Sequence, residues 1–531
     1  MRRFHSYGPV DREQHFCVER RKLVRQCTDY LIGNPDKGGH YFTVWGPRQT
    51  GKTWLMRQMA GEIEKRHPGR FAVYSFSMGR LRGVSLDPPE DEPLGLPPAF
   101  RIFLPERLPG KPNLTTWEDF GRLFSGDEGL WEKPLILLID ELDTLPSGFL
   151  DIMAAQFREM YLEREKNRLH GLALIGVRAV LGVESETGSP FNIQRSLHVP
   201  NLSGEEVEEL FRQYRQESGQ KTEPAVTEKL CEVTRGQPGL VSWFGELLTE
   251  KFNPGKDIPI RMEVWKEIYR RACTTEWNNT VLNLVKKAGG KYRPHIVRLF
   301  TRSDIPFTLD AKWCSHAYLH GITDYETQAD TKGEKTEICR FSSPFIQLRI
   351  YNSLTGELAG DRSQILALDP LDDLSDVLDA PVLNVPALIR RYRDYLERLK
   401  AGGLNPWKDQ PRRADMHLTE AVGHFHLYAW LREAVGRYCV VSPEFPTGNG
   451  RVDLRLRCGG KEGIIEVKSF TNLREHREAV GQASDYAKKL GLDRITLVTF
   501  IPTQDENVLE KLSGEETMGN VRVSVSAIGW T

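Results

Sequence analysis

Short, continuously apolar runs alternate with amphipathic ones through the N-terminal part of the chain. Residues 41–45, 71–76, 134–139 and 171–177 are nearly all apolar, the pattern of strands buried on both faces of a parallel sheet. Before and between them, residues 18–24, 54–59, 117–124 and 152–168 space their apolar positions as helices do. Strand–helix alternation of this kind predicts an α/β fold. Residues 86–112, rich in proline and acid, fit no regular element and are expected to form a long surface loop. Beyond residue 200 the apolar runs give way to helical spacing, opened by Ser203 with Glu206 three residues on, a capping box. The stretch 234–241, with Gly236-Gln237-Pro238, interrupts it. Short helices over 262–350 end in a polar segment, 327–337, and an apolar strand at 339–341, which reads as a winged-helix module. Near the C-terminus, residues 451–457 alternate apolar and polar. They are followed by Gly459-Gly460 and a returning run, 463–468, a β-hairpin signal.

With 531 residues the chain is too long for one core, so roughly three or four domains are expected. The expected divisions are 1–200, 201–254, 255–355, 356–385 and 386–531. The fourth is an acidic linker, since residues 360–379 hold six Asp and one Arg. Lys+Arg 72 against Asp+Glu 73 gives a net charge of -1, so any surface for a polyanion has to be local. No apolar run approaches the ~20 residues of a membrane span. The N-terminus has basic residues but no apolar h-region, so a cytoplasmic location without a membrane is expected. The eight cysteines include no C-x-x-C pair and are expected as reduced thiols. Cys314, His316 and His320 offer half a zinc site without its other half.

The run at 41–45 leads into Gly46-Pro47-Arg48-Gln49-Thr50-Gly51-Lys52-Thr53, which fits G-x-x-x-x-G-K-[ST] between a strand and a helix. Such a loop curls its backbone N–H groups around phosphate oxygens at a helix N-terminus. Lys52 then reaches the β- and γ-phosphates of ATP, and the Thr53 hydroxyl ligates Mg²⁺. The run at 134–139 ends in Asp140-Glu141-Leu142-Asp143. Asp140 is placed to hold the Mg²⁺ shell and Glu141 to polarise an attacking water. Asp143 is expected to cap the next helix. Arg178, at the end of the fourth run, stands either to sense a γ-phosphate or to form a surface salt bridge.

If Gly459-Gly460 are the two turn residues, Asp453 lies directly opposite Glu466, and Lys468 shares their face. Two carboxylates and a lysine on one patch of an otherwise apolar hairpin are either a salt bridge on an exposed face or a divalent-metal site. In the second case Lys468 handles a water or the charge on a phosphate.

Asp453, Glu466 and Lys468, with Gln482 and Tyr486 on the following helical run, resemble the PD-(D/E)XK nuclease superfamily, particularly its RecB-like branch. Val452 stands where proline is common. The resemblance covers 411–531. It implies a small mixed sheet flanked by helices and Mg²⁺-dependent phosphodiester hydrolysis, with Glu420 as the upstream acidic metal ligand. The N-terminal half, up to residue 351, resembles the AAA-like ATPases of the STAND signalling class. That resemblance implies Arg20 in the segment against adenine, Arg178 as a first sensor, and Pro238 as the lid proline touching the nucleotide. Together they imply a P-loop ATPase core, helical lid and winged-helix module joined to a restriction-endonuclease-like domain. The expected partners are ATP/ADP, Mg²⁺, double-stranded DNA and further copies of the chain under nucleotide control. The expected activity is an ATP-regulated DNA nuclease, in defence or repair. Two alternatives stay open: an ATP-binding signalling or scaffold protein that cuts nothing, and a DNA translocase whose last domain only grips.

Overall fold

The computed structural model describes the chain except residues 89–94, 177–194, 301–304, 330–334, 359–365, 370–371, 409, 411–419, 445–452, 470–472 and 531. The chain divides into two compact units, Met1–Thr280 with Leu319–Gly321, and Val281–Tyr318 with Ile322–Thr531. The division falls inside the stretch expected as a winged-helix module.

The first unit is built on β1 (Tyr41–Trp45), β2 (Ala72–Ser77), β3 (Leu135–Asp140), β4 (Leu169–Gly176) and β5 (Arg195–His198). They form one parallel sheet in the order β2-β3-β4-β1-β5. Every residue of β1, β3 and β4 is buried, as their largely apolar sequence requires. The pleat sorts alternate residues of β3 to opposite faces. Ile136 and Leu138 meet Leu55, Met59 and Ile63 of the helix Lys52–Arg66, while Leu137 and Ile139 meet Phe149, Met153 and Phe157 of the helix Ser147–Leu162. This is an α/β P-loop core. The chain leaves β1 toward one edge and returns to β5 on its other side, so the carboxyl end of β1 is the switch point where such sheets bind ligands.

The helices Gly204–Ser218, Pro224–Thr234 and Pro238–Glu246 follow, in the stretch expected as a helical lid. The capping box forms, with Ser203 Oγ accepting from Glu206 N at 3.2 Å and Glu206 Oε2 accepting from Ser203 N at 2.9 Å. The described part of 86–112 is not a surface loop. Pro98 opens a helical turn, Pro98–Phe103, and Phe100, Phe103 and Leu104 are buried against the core, with Phe100 edge-on to Phe149 at 4.9 Å. Proline at a first helical position followed by apolar residues at i, i+3 and i+4 is a helix signal. The abundance of proline masked it.

The second unit holds the hairpin β6 (Thr323–Ala329) and β7 (Lys335–Phe341), and a six-stranded mixed sheet. The sheet consists of β8 (Val440–Glu444), β9 (Asp453–Cys458), β10 (Lys461–Ser469), β11 (Arg494–Ile501), β12 (Gly514–Met518) and β13 (Val521–Gly529), in the order β12-β13-β11-β10-β9-β8. The helix Leu473–Lys489 packs against β11 and β13, and the buried helix Glu420–Val435 against β10 and β8. The described part of the acidic stretch folds back on the helix Val385–Ala401. Arg391 pairs with Asp372 at 3.5 Å and Asp376 at 2.9 Å, and Leu374 and Val377 are buried.

The expectation of reduced thiols fails for one pair. Cys439 and Cys458 form a disulfide with Cα atoms 4.4 Å apart. Val440 pairs with Arg457, which places Cys439 opposite Cys458 across β8 and β9. A separation of 19 residues hides this pairing in the sequence. The other six cysteines form no disulfide. Alkylation of the unfolded, unreduced protein should therefore modify six thiols, and modification of eight would refute the bond. A loop of this length predicts that Cys439→Ser lowers unfolding free energy by about 3 kcal/mol in a denaturant melt.

Candidate active sites

The first site gathers at the carboxyl ends of β1 and β3. After Trp45 the loop passes through left-handed backbone at Gln49 (φ 59) and Gly51 (φ 85) before the helix begins at Lys52. This curl turns successive N–H groups inward. Lys52 Nζ donates to the carbonyls of Gly46 and Pro47, each at 2.7 Å. Thr50 Oγ1 also holds Pro47 O, at 2.9 Å. Thr53 Oγ1 donates to Asp140 Oδ2 at 2.5 Å, so the helix and β3 meet through two hard oxygen donors of the type Mg²⁺ takes. Burial pushes the Lys52 ammonium down to about 8, opposed by Asp143 and then Asp140. Burial also raises Asp140, against the hydrogen bonds it accepts from Thr53 and Glu141 N.

Glu141 sits in the left-handed region at φ 57, uncommon for a residue with a Cβ. Its Oε2 accepts from Ser77 Oγ at 2.5 Å, and Arg82 lies 3.6 Å from its Oε1. Gly79 makes room for this, since a Cβ there would stand 2.0 Å from Glu141 Oε2. Ser77 pairs in register with Asp140, so β2 delivers its last hydroxyl beside the acidic turn. Asp143 does not cap the helix Ser147–Leu162, which starts after Pro146 with no side-chain cap. A tight turn at Leu142–Thr144 intervenes, and Asp143 acts on Lys52 instead.

The start of the helix Pro238–Glu246 reaches the loop's carbonyls. Gly239 N donates to Gln49 O at 3.0 Å and Gln237 Nε2 to Arg48 O at 3.1 Å. Pro238, between them, is the first residue of its helix. Arg20 is buried, but its guanidinium grips the carbonyls of Pro200 at 2.6 Å and Asn201 at 3.0 Å, where the chain enters the lid. Its neighbour Val18 accepts from Trp54 Nε1 at 3.1 Å, which lays this segment on the helix behind the loop. Arg178 lies outside the described residues.

The second site is on the hairpin β9–β10. Gly459 and Gly460 have φ of 55 and 84, a two-residue turn in which both positions are left-handed. Ile465 stands opposite Leu454, so the next pair in this register is Glu466 with Asp453. The side chain of Asp453 lies outside the described residues. Lys468 is buried, with Nζ 2.8 Å from Glu466 Oε1 and 3.5 Å from Oε1 of Glu420, the first residue of its helix. The structure thus joins residues 46 apart or more from Glu420 around one ammonium. Gln482 is exposed on the helix Leu473–Lys489, and Tyr486, one turn on, packs partly against Ala483, Ile495 and their neighbours. Among the described residues no three or more His, Cys, Asp or Glu gather as a metal cluster. No helix among them is long and apolar enough to cross a membrane.

No protein-family model matches the chain, and no curated protein does. Solved structures similar to it include the Walker-type ATPase PABY2304 of Pyrococcus abyssi. That similarity has 14% identity, covers 65% of this chain and 99% of that one, and has a TM-score of 0.42. The Orc1 protein of Aeropyrum pernix in complex with DNA is similar at 14% identity over 64% of this chain and 94% of that one, TM-score 0.33. The RuvB Holliday junction branch migration motor of Thermotoga maritima is similar at 14% identity over 60% and 92%, TM-score 0.34. The P-loop core is identified by its own strand order and loop.

Proposed function

We propose that the chain binds and hydrolyses ATP at the phosphate loop, and that this cycle governs Mg²⁺-dependent cleavage of double-stranded DNA at the β9–β10 hairpin. Thr53 and Asp140 would hold the ion at the first site, and Asp453, Glu466 and Glu420 at the second. Bound there, Mg²⁺ supplies positive charge for phosphate oxygens. The residues of the chain do the rest. Lys52 and the loop N–H groups orient the β- and γ-phosphates. Glu141 accepts a proton from the attacking water. Lys468 places a cation beside the phosphodiester.

The observation that carries the nuclease reading is Lys468, buried between the carboxylates of Glu466 and Glu420. A buried ion pair costs desolvation that apolar residues would avoid, so it is weak as a device for stability alone. The test is supercoiled plasmid incubated with the protein, with and without Mg²⁺, and with ATP, ADP or neither. Nicking or linearisation that needs Mg²⁺ and differs between ATP and ADP is expected. Intact plasmid in every condition overturns the nuclease and leaves an ATP-binding signalling protein or a translocase. Equal cutting with all three nucleotide states overturns the control.

Ser77 gives a sharper test of the ATPase. Its hydroxyl donates to Glu141 Oε2, one of the two oxygens that could take a proton from a water. A hydrogen bond worth roughly 0.5–1.5 kcal/mol holds the carboxylate back. Ser77→Ala should raise basal ATP hydrolysis roughly threefold to tenfold in a phosphate-release assay. Ser77→Ala in a Glu141→Gln background should change nothing. A fall in rate on Ser77→Ala would place the serine among the groups that assist hydrolysis.

A further inference from the structure

The second unit carries a local charge that the balanced composition conceals. Residues 281–300 contain Lys286, Lys287, Lys291, Arg293 and Arg298 and no Asp or Glu, in a chain with 72 basic and 73 acidic side chains. These residues lie on the helices Asn279–Ala288 and Arg293–Arg298 and the turn between them. The helix Lys312–His320 packs against the second of these through rings. His295 stacks on Trp313 with centroids 5.1 Å apart and planes 18° apart, and Tyr292 meets His316 at 5.3 Å. Those two contacts join the turn that carries Lys291 and the start of the second helix to the first residues of the helix that starts at Lys312. Lys286, Lys291, Arg298 and Lys312 are exposed.

Among the described residues, three acids near this segment in sequence or on β6 are engaged with partners outside it. Asp324 and Glu326 of β6 pair with Arg340 at 3.6 and 3.1 Å. Asp310 is exposed and takes part in a hydrogen-bonded turn with Thr308 ahead of Lys312. Burial, and then Arg298, hold the His295 imidazole below the usual histidine range.

We propose that Lys286, Lys291 and Lys312 form a docking surface for the phosphate backbone of double-stranded DNA. Clustered cations on one face are the electrostatic footprint of nucleic-acid binding. Single strands are gripped by aromatic faces on which bases stack. Here Tyr292 packs on His316 and His295 on Trp313, and Lys291 lies over the Tyr292 ring at 5.4 Å, so the surface offers a phosphate exposed cations rather than open ring faces. The choice of DNA rests on the nuclease reading, while the grip itself needs no cleavage.

The experiment is fluorescence anisotropy of a labelled duplex with the full chain in EDTA, titrated at several salt concentrations. The variants are Lys286→Ala/Lys291→Ala/Lys312→Ala and the same three positions changed to Arg, each checked by thermal melting. The alanine variant should lose roughly tenfold or more in affinity, and its slope of log K against log salt should shrink by about 2 to 3. The arginine variant should bind as the wild type does. Unchanged binding by the alanine variant overturns the surface, as does equal loss in both variants with normal melting. Tighter binding of a single strand overturns the duplex as ligand. A protein that binds duplex through these lysines and never cuts it refutes the nuclease and keeps the surface.

Discussion

Lys52→Ala should weaken ATP binding by about two orders of magnitude. The ammonium supplies charge-assisted hydrogen bonds to the phosphates, each worth roughly 1.5–3 kcal/mol, and a loss of about 3 kcal/mol is a factor of roughly 150. It also ties the loop to itself through the carbonyls of Gly46 and Pro47, both at 2.7 Å. The variant therefore loses the charge and the brace together. Titration calorimetry would show it, and wild-type affinity in the variant would sink the phosphate-loop assignment. The same lysine predicts a pH dependence. Burial brings it down to about 8, and ATP binding favours its charged form. Affinity should hold steady below about pH 8 and fall as pH rises through that value, with a proton taken up on binding. In Lys52→Ala the fall across that window should vanish.

The parts of this site differ in how far the sequence discloses them. Gly46–Thr53 announces itself because a phosphate nest needs glycine and lysine at fixed spacing directly after a strand. Asp140 is legible for a similar reason, since a continuous apolar run ending in acid has few other meanings beside such a loop. Ser77 is not legible. It ends an ordinary half-buried edge strand, and its role comes from pairing in register with Asp140, a contact of 63 residues' separation that only the sheet order creates. Asp143 was expected to cap a helix because it precedes one, but the tight turn at Leu142–Thr144 moves the helix start past Pro146. β5 is short and largely exposed, so it carries no apolar run to betray it. On the hairpin, period-two alternation and Gly459-Gly460 set the register. Glu420 is tied to Lys468 by tertiary packing across 48 positions, which periodicity cannot report.

Glu466→Gln should abolish DNA cleavage. The amide keeps the shape of the carboxylate but removes the charge that a metal needs and that Lys468 meets at 2.8 Å. A loss of about a thousandfold or more in plasmid cleavage is expected, the scale seen when one preorganised electrostatic group is removed from an active site. Asp453→Asn should do the same if its position opposite Glu466 makes it a ligand. Lys468→Ala is the harsher change, because it strips the buried Glu466 of its cation. Breaking a buried pair from one side costs roughly 3–5 kcal/mol, so loss of cutting in that variant alone would not separate chemistry from unfolding. Glu466→Gln/Lys468→Met separates them. With both charges gone and an unbranched side chain of similar length in place, stability should return to within about 1–2 kcal/mol of the wild type, or exceed it. Cleavage should stay absent. If instead Glu466→Gln cuts supercoiled plasmid in Mg²⁺ at the wild-type rate, the buried pair is structural, and the hairpin is no active site.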